Sequence, residues 1–302
     1  MSWFWFSVIA LLCWSGSDFF SKLGCRDNRD KYSHLKMVMA VGLVMGIHAI
    51  IEILGGTEIS WDVMLTYLPV SLLYILSMAL GYIGLRYIEL SISSPICNAS
   101  GALVAVMSII IGNAEMDHPL QYVAVALACL GVIGLGVVEA TEDETLRAAR
   151  QEASNYKYAK SWLALALPVA YCVLDAAGTF ADSLVLETLN EDSANVAYEL
   201  TFFAAGIVCF IYTVFIKKQP IIAKQEGPKY TGAIFETIGQ FAYIYALADS
   251  AHVAMAAPII SSYCAVSVLW SRLFLKEKLS WKHYAAVGVT IAGIIIMGVF
   301  DM

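Results

Sequence analysis

Ten apolar runs recur along the 302-residue chain, and each is close to the roughly 20 residues that a helix needs to cross a bilayer. The chain is 60% apolar and only 14% charged, unlike an ordinary soluble domain. The pattern therefore predicts an all-α integral membrane protein with ten transmembrane helices. The runs cover residues 3–22, 35–55, 65–87, 91–112, 119–140, 161–183, 195–216, 230–248, 252–274 and 281–300.

The basic residues predict how these helices are oriented. All 18 Lys and Arg residues follow the odd-numbered spans, whereas the even-numbered connectors and both termini carry only acidic charge. By the positive-inside rule, the odd connectors face the cytoplasm and both termini lie outside a plasma or inner membrane. The net charge of −7 is spread over loops, and no basic surface with interleaved aromatic residues indicates nucleic acid.

The last span has a counterpart in the first half of the chain. Residues 121–136 align with residues 283–298 without a gap, so that Tyr122 matches Tyr284 and Gly131 matches Gly293. Upstream, Pro95 and Pro258 stand in corresponding places. The sequence thus predicts a five-helix repeat over 1–140, a cytoplasmic linker over 141–160 and a second repeat over 161–302. Because five is odd, the second copy is inverted in the membrane.

The segments "LFLKEKLSWKHYAAVGVTIAGIIIMG" and "IIIGNAEMDHPLQYVAVALACLGVIGLG" carry the clearest family signal. They resemble the EamA-type branch of the drug/metabolite transporter superfamily. The resemblance implies ten helices in two inverted five-helix domains and transport of a small organic solute, with export of an amino acid or other metabolite as the common theme. It also implies a recurring Glu at the end of each fourth helix, here Glu115 and Glu277.

Ionisable residues inside spans are costly, at about 2.5–3.5 kcal/mol on insertion scales, and they often mark transport pathways. Asp175 lies near the middle of the sixth span, and Asp18 occupies the matching place in the first. Each is a candidate for proton coupling or substrate binding, with helix-to-helix hydrogen bonding as the alternative. Asp182, further along the sixth span, is expected at the outer interface.

A polar stripe on the eighth span adds further candidates, because i, i+4, i+7 spacing places three side chains on one helix face. The alternative is a polar network that only joins helices. The residues of this stripe are Glu236, Gln240 and Tyr243. Two aromatic residues, Trp14 and Tyr171, stand four positions before Asp18 and Asp175 and are further substrate-binding candidates. The polar residues that follow the two prolines complete the set: Asn98, Ser261 and Ser262.

The sequence as a whole favours a secondary active transporter with a small-molecule substrate, working by alternating access and driven by protons through Asp175. A facilitative channel or a non-transporting membrane sensor remains the alternative. Enzyme motifs such as H-E-x-x-H and G-x-S-x-G are missing, so no enzymatic activity is expected. The sequence contains no C-x-x-C pair, so we expect neither a metal site nor a cofactor. Glycines in the fifth and tenth spans allow close packing and a homodimer.

Overall fold

The structure is a computed structural model that describes residues 2–25, 30–87, 90–111, 116–141, 163–276 and 279–299. Within these ranges the chain is helical and contains no β-strand. The prediction of an all-α membrane protein is confirmed. The predicted linker over 141–160 lies almost wholly outside the described residues, as do Glu115 and Glu277.

The described residues of the first half form six helices. The fourth span is divided into two of them, whereas the other spans are continuous. Their bounds are α1 Trp3–Cys25, α2 Ser33–Gly55, α3 Trp61–Tyr87, α4 Leu90–Cys97, α5 Ser100–Ile111 and α6 Pro119–Thr141.

The second half repeats this order, with the ninth span divided. The seventh and ninth spans each finish in a short π-helical segment, Ile211–Ile216 and Ser271–Leu275. The bounds are α7 Leu163–Val185, α8 Glu191–Phe210, α9 Ala223–Leu247, α10 Val253–Ser261, α11 Tyr263–Trp270 and α12 Trp281–Val299.

Eight of the ten spans are long and apolar enough, by length and composition, to cross a membrane within the described part of the chain. The other two, α7 and α9, are the spans that carry Asp175 and Glu236. Polar residues inside a span must face protein or a water-filled space in a membrane. The faces of α7 and α9 that carry Asp175 and Glu236 are therefore expected in the interior of the bundle.

Prolines explain why the fourth and ninth spans are divided. A proline inside a helix lacks the N–H that bonds the preceding turn, and its ring displaces the carbonyl four residues earlier. The chain turns shortly after Pro95 and again after Pro258, which separates α4 from α5 and α10 from α11. The side chains next to each turn satisfy nearby carbonyls: Asn98 Nδ2 donates to Ser94 O at 2.8 Å, and Ser262 Oγ donates to Pro258 O at 2.6 Å.

Helices of the two halves pack against one another in matched pairs. Helix α1 lies along α9, and α3 lies along α7 in the same way. Helix α1 also contacts α10 and α11, whereas α7 contacts α4 and α5. Helices α2 and α8 form one further pair, and α6 and α12 another. Each helix pair thus joins one helix of the first half to one of the second half, and the interior of the bundle lies between the halves.

The α6–α12 pair is in contact through glycines. A Cβ atom on Gly293 would lie 2.6 Å from both Ala124 O and Ala128 N, and one on Gly131 would lie 2.9 Å from Ala286 O. These distances are shorter than normal contacts to backbone atoms. Only a residue without a side chain allows the two helices to approach this closely.

Replacing Gly293 by alanine is expected to destabilise the protein by about 1–3 kcal/mol, because the new methyl group must push the α6 backbone away. Gly288 on the same helix provides a matched control, since a Cβ atom at that position would have no other atom within 4 Å. Gly288→Ala should leave the free energy of unfolding unchanged or raise it slightly. Thermal unfolding in detergent would measure both, and equal effects of the two variants would contradict the close packing.

Charged side chains are buried together at one end of α1, α2, α3 and α9. Lys36 Nζ lies 2.8 Å from Asp30 Oδ2 and 3.9 Å from Glu226 Oε1, and Lys229 Nζ lies 3.1 Å from Glu226 Oε2. Arg86 Nη1 donates to Asp30 O at 2.5 Å. We call Asp30, Lys36, Arg86, Glu226 and Lys229 the ion-pair cluster. It joins helices from both halves of the chain.

Candidate functional site

A cavity with about 60 Å³ of space for the centres of water-sized molecules lies in the interior, between helices of both halves. Its lining includes three carboxyl side chains, those of Asp18, Asp175 and Glu236, but no Lys, Arg or His among the described residues. A smaller space, of about 20 Å³ by the same measure, adjoins it and shares four of its lining residues, Trp14, Tyr171, Asp175 and Tyr263. The two spaces together form the candidate site.

Asp18 enters the cavity from α1 and is held by two serines. Ser94 Oγ donates to Asp18 Oδ2 at 2.5 Å, and Ser267 Oγ donates to the same oxygen at 3.1 Å. Ser94 belongs to α4 and Ser267 to α11, so the carboxyl group joins both divided spans. The sequence analysis left helix bonding as the alternative for Asp18, and the structure shows such bonds in a side chain that also lines the cavity.

Asp175 enters from α7 and is held in a similar way by the divided span of the other half. Ser100 Oγ, at the start of α5, donates to Asp175 Oδ2 at 2.7 Å. Asp175 lines both the large cavity and the adjoining space. The predicted correspondence between Asp18 and Asp175 thus has a structural parallel, since each carboxyl group accepts a hydroxyl from a divided span of the opposite half.

The polar stripe predicted on α9 faces the interior along its whole length. Glu236 and Gln240 line the large cavity and are 8% and 3% exposed. Ser17 on α1 lies within hydrogen-bonding reach of the Glu236 carboxyl group. Tyr243 lines the smaller space, and its hydroxyl donates to Thr179 Oγ1 at 2.8 Å. One face of α9 therefore serves both spaces.

Aromatic rings form much of the remaining wall. The Trp14 ring lies 4.9 Å from the Tyr243 ring and 5.8 Å from the Tyr263 ring, measured between centroids. Tyr171 packs against Gly81, where a Cβ atom would come within 3.0 Å of its ring. Sequence reasoning identified Trp14 and Tyr171. It missed four further tyrosines that line the large cavity: Tyr74, Tyr82, Tyr198 and Tyr263.

The polar residues after the prolines do not all reach the site. Asn98 and Ser261 line the smaller space. Ser262 lines neither space, and its hydroxyl is used to bond the Pro258 carbonyl. Ser262 thus lies outside the candidate site, and its role in substrate binding stays a prediction. The cause is local, because the break at Pro258 leaves carbonyls that the nearest hydroxyl satisfies.

Asp182 is expected at the outer interface, and in the structure its side chain is enclosed by tyrosines. It is fully buried, and it accepts hydrogen bonds from Tyr67 at 2.7 Å and from Tyr74 at 3.3 Å. The Tyr74 hydroxyl also bonds that of Tyr243. We call Tyr67, Tyr74, Thr179, Asp182 and Tyr243 the tyrosine–aspartate cluster. It joins α3, α7 and α9 at the end of the cavity opposite the ion-pair cluster.

Helix α3 runs between the two clusters and along the cavity. Tyr67 and Arg86 are about 28 Å apart along its axis, at a rise of 1.5 Å per residue. Between them Tyr74, Met78, Gly81, Tyr82 and Leu85 all line the cavity. The candidate site thus lies midway along the helices, with a buried polar cluster at each end.

Several residues of the large cavity carry buried polar atoms that have no hydrogen-bond partner among the described residues. They are Trp14 Nε1, Ser21 Oγ, Tyr82 Oη and Gln240 Nε2. Buried polar groups without partners are uncommon in native proteins and call for an explanation. All four atoms belong to residues that line the same cavity. The arrangement can therefore bind a small polar molecule.

No group of three or more His, Cys, Asp or Glu residues in the described ranges has the geometry to hold a metal ion. The candidate site thus consists of carboxyl, hydroxyl, amide and aromatic groups. This set suits reversible binding of an organic solute through charge, hydrogen bonds and ring contacts.

Comparisons with known proteins agree with this fold. Residues 162–299 match the model of the EamA-like transporter family. A crystal structure of another protein is similar to the chain, with a TM-score of 0.64 and 13% identity over 99% of this chain and 97% of that chain. At this identity the likeness shows the fold alone. No curated protein matches the chain. The family match agrees with the resemblance seen in the sequence, and residues 162–299, the second half of the chain, are similar to the EamA-like transporter family.

Proposed function

We propose that the protein is a secondary active transporter that exports a small organic solute across the cytoplasmic membrane by alternating access. The observation that carries the proposal is a cavity with three carboxyl groups, located midway along the helices and bounded by both halves of the chain. Transporters built from repeats bind their substrates at such an interface, between interrupted helices. The divided spans around Pro95 and Pro258 supply hydroxyl groups to Asp18 and Asp175 in the same manner.

The matched packing of the two halves supports an inverted repeat over 1–140 and 161–302. In the proposed repeat, α1 corresponds to α7 and α3 corresponds to α9. The contact of α1 with α9 is therefore equivalent to the contact of α7 with α3. Rocking of one half against the other would loosen one end of the cavity while the other end stays closed. The two clusters are the elements on which such a motion would act, because each bonds helices of both halves.

Proton coupling belongs to the proposal through Asp175, with Asp18 and Glu236 as partners. The three carboxyl groups border one cavity whose described lining contains no basic side chain. A proton or a cationic group of the solute can neutralise them, and exchange between the two would couple their movements. Intramembrane carboxyl groups of this kind form the proton relays of many carriers.

Saturable counterflow is the expected behaviour of the purified protein in proteoliposomes. Liposomes loaded with a high concentration of a substrate should take up radiolabelled substrate transiently against its gradient, because a carrier exchanges one molecule for another. A channel would equilibrate the label without this overshoot, and a sensor would move none. Empty liposomes provide the background, and a thermal-shift screen of metabolites would select the substrate. Uptake without saturation or overshoot would favour the channel.

The proposed orientation places both termini outside and the odd-numbered connectors in the cytoplasm. Single cysteines at Asp117 and Lys282, which occupy corresponding connectors of the two repeats, should then react with an impermeant maleimide from opposite sides. Intact cells and inverted vesicles would be compared, with the parent protein correcting for the seven native cysteines. Labelling of both positions from the same side would contradict the inverted repeat.

A further inference from the structure

We propose that the cavity binds an organic cation that also carries a neutral hydrogen-bond acceptor. This inference rests on the proposed function, since it assigns the substrate class of the same cavity. It follows from three properties of the lining: the sign of its charge, its aromatic rings and its unpartnered donors.

The charge of the lining favours a cation. Asp18, Asp175 and Glu236 border one cavity, and their described partners are serine hydroxyls, not basic side chains. Carboxylates away from water need an opposite charge or a proton. An ammonium or guanidinium group on the solute supplies that charge, whereas a carboxylate or phosphate on the solute would be repelled.

The aromatic wall of the cavity favours an organic cation over a metal ion. Trp14, Tyr171 and Tyr263 line both spaces, and three further tyrosines line the large one. Ring faces attract the weakly hydrated charge of an organic ammonium group and also cover its carbon skeleton. A hydrated metal ion gains little from such a wall, and the described residues contain no group of ligands for one.

The unpartnered donors indicate a second feature of the solute. Gln240, Tyr82 and Ser21 line the cavity and are 3%, 5% and 1% exposed, and each has a polar atom without a partner among the described residues. Trp14 Nε1 and Gln240 Nε2 can only donate. An acceptor oxygen on the solute, such as a hydroxyl, ether or carbonyl group, would satisfy them in place of water. The acceptor is neutral because the carboxyl groups nearby disfavour a second negative charge.

Four phenyl compounds with different end groups test the proposal directly. Phenylalaninol is a cation with a hydroxyl group, phenethylamine is a cation alone, 3-phenylpropanol is neutral and 3-phenylpropionate is an anion. Isothermal titration calorimetry on the protein in nanodiscs should give the affinity order phenylalaninol, phenethylamine, phenylpropanol, with no binding of phenylpropionate. Each cation should exceed the neutral compound by about tenfold or more, the value of one hydrogen bond to a charged group.

Two kinds of variant assign the interactions to residues. Glu236→Gln should lower the affinity of both amines by about tenfold, whereas Gln240→Leu should remove the preference for phenylalaninol and leave phenethylamine unchanged. Glu187→Gln, at an exposed position outside the cavity, is the matched control. A variant that fails to give monodisperse protein is replaced by Asp175→Asn, for which the same loss of amine affinity is expected.

Affinity for the anion equal to that for the amines would overturn the proposal. So would amine binding that is unchanged in both Glu236→Gln and Asp175→Asn. The outcome is distinguishable from failure of the proposed transport function. Amines that bind in the expected order but show no counterflow would contradict transport alone, and counterflow of an anion with no amine binding would contradict the cation assignment alone.

Discussion

Replacing Asp175 by asparagine is expected to abolish transport driven by a pH gradient. Asparagine keeps the size of the side chain and an oxygen that accepts the 2.7 Å hydrogen bond from Ser100. It cannot take up a proton or carry a negative charge. The loss of one charge-assisted interaction corresponds to about 10- to 150-fold in affinity, so the effect on a substrate that depends on this group is large.

Two transport assays separate the possible roles of Asp175. Uptake driven by a pH gradient requires coupling, whereas counterflow with equal pH on both sides requires only binding and reorientation. Loss of the first with retention of the second would identify Asp175 as the coupling group, and loss of both would identify it as a binding group. Asp62→Asn, at an exposed position at the start of α3, is the matched control. Unchanged rates in both assays would remove Asp175 from the mechanism.

Asp18→Asn should have a similar but smaller effect in the same assays. Two serines donate to one oxygen of Asp18, so hydrogen bonds from divided spans of both halves already offset part of its charge. Asp175 has one such donor and borders both spaces. The carboxyl group with fewer donors and wider access to the cavity is the better candidate for exchange with solute or proton.

The apolar runs predicted the spans well because each run must match the thickness of a bilayer, whatever the neighbouring helices do. The same signal underestimated α9, which begins at Ala223 and not near residue 230. Its first two turns contain Lys224, Glu226 and Lys229, so they do not look like a span. The helix is stable there because Glu226 and Lys229 are buried against other charged groups, which hydropathy cannot indicate.

Helical spacing predicted the stripe on α9 because the geometry of one helix decides which residues share a face. It could not predict which neighbouring helices supply their partners. Nothing near Glu199 in the sequence indicates that it is fully buried and bonded to His48 Nδ1 at 2.9 Å, since His48 lies on α2. The cavity tyrosines were missed for a related reason. A tyrosine in a span carries no charge, and its position gives no sign of whether it faces lipid or the interior.

Replacing Lys229 by methionine is expected to lower the free energy of unfolding by about 3–5 kcal/mol, the usual cost of removing one partner from a buried ion pair. The Lys229 side chain is 1% exposed and packs over Gly24, where a Cβ atom would come within 2.6 Å of its Cγ atom. Methionine has a similar shape, so packing is largely kept. What is lost is the 3.1 Å contact that balances the Glu226 carboxylate.

A second variant shows whether charge or packing causes the loss. The double variant Glu226→Gln with Lys229→Met removes both charges of the pair, so it should recover part of the stability that Lys229→Met alone loses. Lys224→Met, at an exposed position in the first turn of the same helix, is the matched control and should change little. Unfolding in detergent would be followed by heat and by denaturant. If the two substitutions instead destabilised the protein additively, the loss in Lys229→Met would not come from the Glu226 carboxylate that is left without its partner.

The same pair of variants tests whether the ion-pair cluster closes one end of the cavity. Lys36 and Lys229 hold Glu226 of α9 beside Asp30 of the α1–α2 connector, so the cluster can separate only if those charges leave one another. When two buried charges move apart, water must reach them and solvate each charge in place of its former partner. The double variant lacks two of these pairs, Lys229–Glu226 and Lys36–Glu226, and should open more easily. Its counterflow is therefore expected to be faster than that of the native protein under conditions in which both remain folded, and a slower rate would show that the cluster does not act as a gate.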